Sequence, residues 1–172
     1  MSLKAALLAA AVALPKPHAD SEPPAARLAR VENIAEAIAD ETDDSRLAFA
    51  ALTKWWWESG RFLRAVHAGE LRGDGGKAAC LGQLHQTLGW VSRPEWLASQ
   101  GTDLDATRVC ARITIRVLRM HADRCRLTRP WSEPQVAQLF GAYGTGRTCH
   151  GRFRWAQNRA RMWQLLVARY EN

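Results

Sequence analysis

A mainly helical domain with one small glycine-rich β excursion is the fold class that this sequence predicts, and three observations predict it. Apolar residues recur at helical spacing in three stretches, 25–40, 104–124 and 153–170. A further stretch, 46–58, is apolar on nearly every side, the pattern of a helix buried at the centre of a domain. Residues 69–76 hold four glycines around Asp74, which reads as a turn or short hairpin.

The elements follow in chain order. A short basic start is followed by an apolar run at 5–14 and by Lys16-Pro17-His18-Ala19. That arrangement fits either a secretory signal with its cleavage site or an alanine-rich first helix, and the run is too short to span a bilayer. Residues 1–24 are therefore a possible signal peptide or N-terminal extension, and 25–172 form one domain. Over 25–40 the periodic residues are Leu28, Val31, Ile34, Ala35 and Ile38. Thr42-Asp43-Asp44-Ser45 supplies N-caps for the next helix. In that helix Leu47, Ala51 and Trp55 form one stripe and Phe49, Leu52 and Trp56 another, with Gly60 marking its end.

Residues 78–88 are expected to form a short helix. Pro94 and Gly101-Thr102-Asp103 punctuate the following connection. The long helix at 104–124 carries Val109, Ile113, Val117 and Met120 on one stripe and Arg108, Arg112, Arg116 and Arg119 on an adjacent, solvated face. A loop at 126–134, a short helix at 135–143 and a glycine-rich turn at 144–151 lead to the last helix, built on Trp155, Trp163, Leu166 and Tyr170.

With 172 residues, 47% of them hydrophobic and 24% charged, the chain is neither disordered nor collagen-like, and it can bury one continuous core without a metal. The net charge of +7 is unevenly placed. Residues 1–86 carry 10 basic and 11 acidic side chains, a net of −1, whereas 87–172 carry 14 arginines and 6 acids, a net of +8. Such a basic half points to an anionic partner: nucleic acid, a membrane surface or a polyanionic cell wall. An arginine-rich solvated surface accounts for it equally well.

Cys80, Cys110, Cys125 and Cys149 are widely spaced and even in number, as two disulfides in an oxidising compartment would be. Three pairings are possible; Cys80 with Cys110 and Cys125 with Cys149 is the favoured one, and four reduced buried cysteines are the competing reading. No CxxC and no zinc-finger histidine spacing occurs, so no structural metal is expected. No Walker or Rossmann glycine loop occurs either, and no cofactor is expected.

Glu58 is the most informative residue. It continues the Leu47, Ala51, Trp55 stripe and so points where apolar side chains point. Desolvation among Trp55, Trp56 and Trp57 and the negative helix end both disfavour the anion, so the carboxyl is expected to stay protonated toward neutral pH. Glycosidic cleavage needs such an acid, because the leaving oxygen must receive a proton. Asp74 is the choice for a second carboxylate, although an Asp between glycines is commonly a turn former.

Glu58-Ser59-Gly60-Arg61-Phe62 resembles the Glu-Ser-x-x-Phe signature of the soluble lytic transglycosylases and goose-type lysozymes. Cys80-Leu81-Gly82-Gln83 stands where that family has Gly-Leu-Met-Gln, and Ala142-Tyr143-Gly144-Thr145-Gly146 where it has Ala-Tyr-Asn-x-Gly. The three motifs, in order, cover about half the chain; Cys80, Gly82 and Gly144 depart from the pattern. The resemblance implies an α+β lysozyme-like domain, with a small hairpin beside the active-site cleft. It implies a peptidoglycan-cleaving activity on the β-1,4 bond between N-acetylmuramic acid and N-acetylglucosamine. Glu58 is then the acid/base, Ser59 orients it or the substrate, and Gln83 and Tyr143 line the cleft. His85 is placed for a hydrogen bond beside them. Engagement of Asp74 would give hydrolysis; without it, the family chemistry forms a 1,6-anhydro product. The expected partners are glycan strands and, through the arginine-rich half, the anionic wall, in a secreted, periplasmic or phage-borne protein. The alternatives are a nucleic-acid-binding helical module and a structural component of a phage particle, which would contact tail or virion proteins.

Overall fold

The computed structural model describes residues 1–17 and 21–171. It is mainly helical, with a two-stranded antiparallel sheet as its only sheet among the described residues. In order, the elements are α1 (Leu3–Ala13), α2 (Pro24–Glu41), α3 (Ser45–Glu58), α4 (Arg64–His67), β1 (Ala78–Ala79), β2 (Leu84–His85), α5 (Arg93–Ala98), α6 (Leu104–Arg124), α7 (Glu133–Thr145) and α8 (Arg154–Tyr170).

The helix α3 is the hub. Asp44 caps it by accepting from the Leu47 amide at 3.1 Å. Every residue from 47 to 56 is buried, as an all-round apolar helix requires. It packs against α8, α6, α2 and α1, while α2 lies along α6 and α7 along α8. Helix α1 buries Ala6, Leu7, Ala10 and Ala11 against this assembly. The residues His18 and Ala19 of the possible cleavage site lie outside the described residues.

The pairing Cys80–Cys110 ties the hairpin to α6, and Cys125–Cys149 ties the end of α6 to the loop before α8, as the favoured reading of the cysteines expected. The segment 78–88 differs from its expectation. It is not one helix but β1, a tight turn and β2, with Ala78 opposite His85 and Ala79 opposite Leu84, followed by a single 3₁₀ turn at Gln86–Leu88. Cys80 and Gln83 take φ of 56° and 48°, left-handed conformations that a helix cannot accommodate, and the disulfide together with the Gln83 side chain holds them there. The glycine-rich stretch before it forms the turn, with a single 3₁₀ turn at Asp74–Gly76.

Two short helices escaped the periodicity reading. In α5, Pro94 sits in the first turn, where a missing amide hydrogen costs nothing, and Ser92 and Glu95 form a reciprocal capping box. Six residues are too few for an apolar stripe to show. The four-residue α4 follows a reversal in which Gly60, Arg61 and Phe62 all have positive φ.

Candidate functional site

Helix α3 ends at Glu58 because Ser59 turns the chain. The Ser59 hydroxyl donates to the Trp55 carbonyl at 2.5 Å and accepts from the Phe62 amide at 3.0 Å. Ser59 is completely buried, so it orients Glu58 through the helix end and is not available to a substrate, a correction to its place among the expected binding residues.

Glu58 itself opens into a groove of about 510 Å³. One wall is the turn and hairpin, with Asp74, Lys77, Gln83 and His85; the other is the loop after the hairpin and the end of α7, with Thr87, Leu88, Trp90, Tyr143, Gly144 and Thr145. Lys54 lies at the floor beside Glu58. The groove thus gathers Glu58, Asp74, Gln83, His85 and Tyr143, five of the six residues expected at a site. Another depression, of about 450 Å³, lies between the starts of α7 and α8; its arginines, Arg152 and Arg161, are exposed, and it holds no buried ionisable group.

The electrostatics of Glu58 overturn the expectation of a protonated acid. Lys54 Nζ donates to Glu58 Oε1 at 2.7 Å, and Arg159 Nη1 lies 2.5 Å from the same oxygen. Burial pushes the carboxyl up, but the charges and hydrogen bonds of Lys54 and Arg159 together outweigh it, so Glu58 is held below its ordinary value, as a carboxylate. The sequence reading saw only the tryptophans and the helix end. Lys54, one turn before Glu58 inside an apolar run, was a legible signal. Arg159 was not, because it arrives from a helix a hundred residues away.

Lys54 is 1% exposed, and its ammonium also lies over the Tyr143 ring at 4.0 Å. Burial, reinforced by the Arg159 charge, lowers it to about 8 against the pull of Glu58. Among the described residues no hydrogen bond to Glu58 Oε2 occurs, and it is not among the buried unpartnered atoms, so this oxygen is the one left for a ligand.

The remaining expected residues have local duties. The Gln83 side chain accepts from the Gly73 amide at 3.1 Å and donates to the Cys80 carbonyl at 3.1 Å, bracing the turn. A Cβ at Gly73 would stand 2.2 Å from Gln83 Oε1, so a side chain there would displace the amide that braces the turn. Tyr143 is buried and donates to the Gly82 carbonyl at 2.8 Å; burial and the Glu58 charge raise its hydroxyl far above the ordinary range. His85 pairs with Asp74, whose side chain is 68% exposed at the rim.

The three positions that depart from the family pattern each have a packing cause. Cys80 is half of a disulfide. A Cβ on Gly82 would meet Thr114 Oγ1 at 2.5 Å and Trp55 Nε1 at 3.2 Å, two atoms bonded to each other at 3.0 Å. A Cβ on Gly144 would lie 2.5 Å from the Trp155 ring.

Three of the α6 arginines are paired with acids, while Arg119 donates to Thr42 Oγ1 and Arg124 to the Gly146 carbonyl. Arg108 reaches Glu36, Asp40 and Asp105, Arg112 reaches Glu41, and Arg116 reaches Glu95. Among the described residues, positive surface without an acidic partner includes Arg119 and Arg124 of α6 and the exposed Arg126, Arg147, Arg152, Arg154 and Arg169. Among the described residues no cluster of three metal-ligating side chains occurs, and no helix is long and apolar enough to cross a membrane. No protein family matches the chain, and no curated protein or solved structure does so either.

Proposed function

We propose that the chain is a peptidoglycan-cleaving glycosidase acting on the β-1,4 bond between N-acetylmuramic acid and N-acetylglucosamine, with Glu58 as its acid/base. One observation carries the reading. A carboxyl at the end of the central buried helix faces a groove walled by a hairpin, with one oxygen held by two cations and the other free for a ligand. The motif resemblance of Glu58-Ser59, Leu81, Gln83 and Ala142-Tyr143 supports the same assignment.

The anhydro-forming course is favoured over hydrolysis. Asp74 is mostly exposed and engaged by His85, a poor setting for a second carboxylate that must face the sugar. In that course Glu58 gives a proton to the leaving oxygen, then takes one from the sugar's 6-hydroxyl, so a single proton serves every turnover. Because Lys54 and Arg159 favour the carboxylate, lysis rises as the medium is acidified. The two disulfides are compatible with an oxidising compartment, and the exposed arginines of the C-terminal half suit adhesion to an anionic wall.

The test is Glu58→Gln assayed on purified peptidoglycan. Loss of lysis in a folded variant supports the reading, and full activity removes it. Mass spectrometry of the wild-type digest then separates the courses: products lighter by one water mean the anhydro route, reducing ends mean hydrolysis. A second reading, a non-enzymatic structural part of a phage particle, is favoured by the Lys54–Glu58–Arg159 ion cluster, which could serve burial alone; a wild-type protein inert toward peptidoglycan would favour it. The nucleic-acid reading is weakened by the acids that neutralise three of the α6 arginines.

A further inference from the structure

Gly144 is exposed at the groove, and the room a side chain would take there is filled by Trp155 from α8. The Trp155 ring stacks on Phe153, with centroids 5.4 Å apart and planes 15° apart. The Arg159 guanidinium, one helical turn further along α8, lies 4.7 Å from the Trp155 centroid and 5.9 Å from that of Trp57. An indole face attracts a guanidinium and limits where it can rest. So seated, Arg159 brings Nη1 against Glu58 Oε1.

We propose that Arg159, seated on Trp155, is a positioning residue: a counter-ion that holds Glu58 as a carboxylate in the ligand-free protein and sets the pH at which Glu58 can donate a proton. The inference rests on Glu58 being the acid/base. Glu58 faces charged or titratable groups from each element around it: Lys54 on its own helix, Arg159 on α8, Tyr143 on α7, and Asp74, Lys77 and His85 on the turn and hairpin. Lys54 is sealed in, and Tyr143 is hydrogen-bonded to Gly82. Arg159 is 15% exposed and comes from another helix, which makes it the partner that can detach when a ligand enters.

The proton balance shows why this matters. In the first step the Glu58 carboxyl passes its proton to the glycosidic oxygen as the bond from that oxygen to the muramic C1 breaks. In the second the carboxylate takes the proton of the 6-hydroxyl as the O6–C1 bond forms. Nothing is consumed after the first proton is loaded from solvent, and Arg159 opposes that loading.

The experiment uses the full chain with Arg159→Met, which keeps an unbranched side chain over Trp155 without its charge, and Arg159→Lys, which restores a charge. Trp155→Leu, which removes the seat and leaves the arginine, guards against misfolding of the first variant. Lysis of purified peptidoglycan is followed against pH, and the Glu58 carboxyl carbon is titrated by ¹³C NMR. In Arg159→Met the midpoint at which lysis falls with rising pH, and the NMR midpoint, move up by about one pH unit. Arg159→Lys stays near the wild type, and Trp155→Leu moves in the same direction by less. An NMR midpoint in Arg159→Met that coincides with the wild type overturns the proposal. The two readings fail separately. A fully active Glu58→Gln removes the acid/base role while the NMR midpoint still reports on Arg159. An inactive Glu58→Gln with an unmoved Arg159→Met midpoint sinks only the Arg159 role.

Discussion

Two clusters of buried charge lie near the α3 C-terminus, and they differ in whether anything is left open. In the first, Arg30 of α2 grips Glu22 through Nε and Nη2 at 3.0 and 2.8 Å and donates to the Phe62 carbonyl at 2.8 Å. Its Nη1 faces His67 Nδ1 at 3.4 Å, His67 Nε2 meets Thr107 Oγ1 at 2.9 Å, and the Thr107 hydroxyl donates to the Asp103 carbonyl. With that last donor spent, His67 is the neutral tautomer protonated at Nε2. Arg30 and Glu22 are 3% and 5% exposed. In the second cluster, Lys54 and Arg159 share one oxygen of Glu58, which is 22% exposed and faces the groove. A closed network fastens α2 to the reversal after α3. An open one, less deeply buried, leaves a carboxylate oxygen where a ligand can reach it.

The contrast has consequences of graded size. Arg30→Met strands a sealed carboxylate and a carbonyl, and should lower stability by about 3–5 kcal/mol in urea denaturation; a loss below about 1 kcal/mol would erase the distinction. Replacing Cys80 and Cys110 by serine should cost about 2–4 kcal/mol, as should replacing Cys125 and Cys149. Only the first pair should also abolish lysis, since it anchors the hairpin that walls the open cluster.

Acid should act on the closed cluster through His67. Burial, then the Arg30 charge, lowers it to about 3, below its unfolded value of about 6.5. Between those limits the unfolded chain binds more protons at this position. The stability tied to neutral His67 is therefore complete above pH 6.5 and drains as pH falls toward 3. At pH 5 the loss should be about 2 kcal/mol, and His67→Gln should flatten the Tm profile in that window if the assignment holds.

The smallest effect belongs to the open cluster. Glu58→Gln removes the carboxylate from both Lys54 and Arg159, but a lysine already lowered to about 8 can release its proton at modest cost, and Arg159 keeps its seat on Trp155. The stability loss should stay near 1–2 kcal/mol at pH 7, and Lys54→Met in the same chain should restore it. A loss as large as that of Arg30→Met would mean that both clusters are structural. Lysis, by contrast, should vanish in either Glu58 variant.

Much of the fold was legible. Helix α6 runs over 104–124 as its stripe predicts, α3 is buried on all sides, and the cysteines pair with their chain neighbours. The first two follow from local periodicity and total apolarity; the spacing of the cysteines left three pairings possible, of which the favoured one is formed. A small β excursion was legible from its glycines, but its strands at 78–79 and 84–85 and the helices α4 and α5 were not, because each is shorter than the window in which periodicity can speak and is held by side-chain bonds. At the site, the position of Glu58 at a groove was legible from its stripe. The duties of Ser59 and Gln83 were not, since both spend their polar atoms on backbone groups of their own turn.

By itself the sequence determined where the long helices run, which one lies at the centre, and that a carboxyl ends it on the buried side, because these depend on spacing within one segment. The charge state of that carboxyl depends on Lys54 in the same helix and on Arg159, which only the tertiary structure brings to it. Local context, indoles and a helix end, argued for a proton; Arg159 arrives from α8, across the space that Gly144 leaves for Trp155, and together with Lys54 reverses the sign. Electrostatic fields act through space, so the field at Glu58 depends on neighbours that chain order does not reveal.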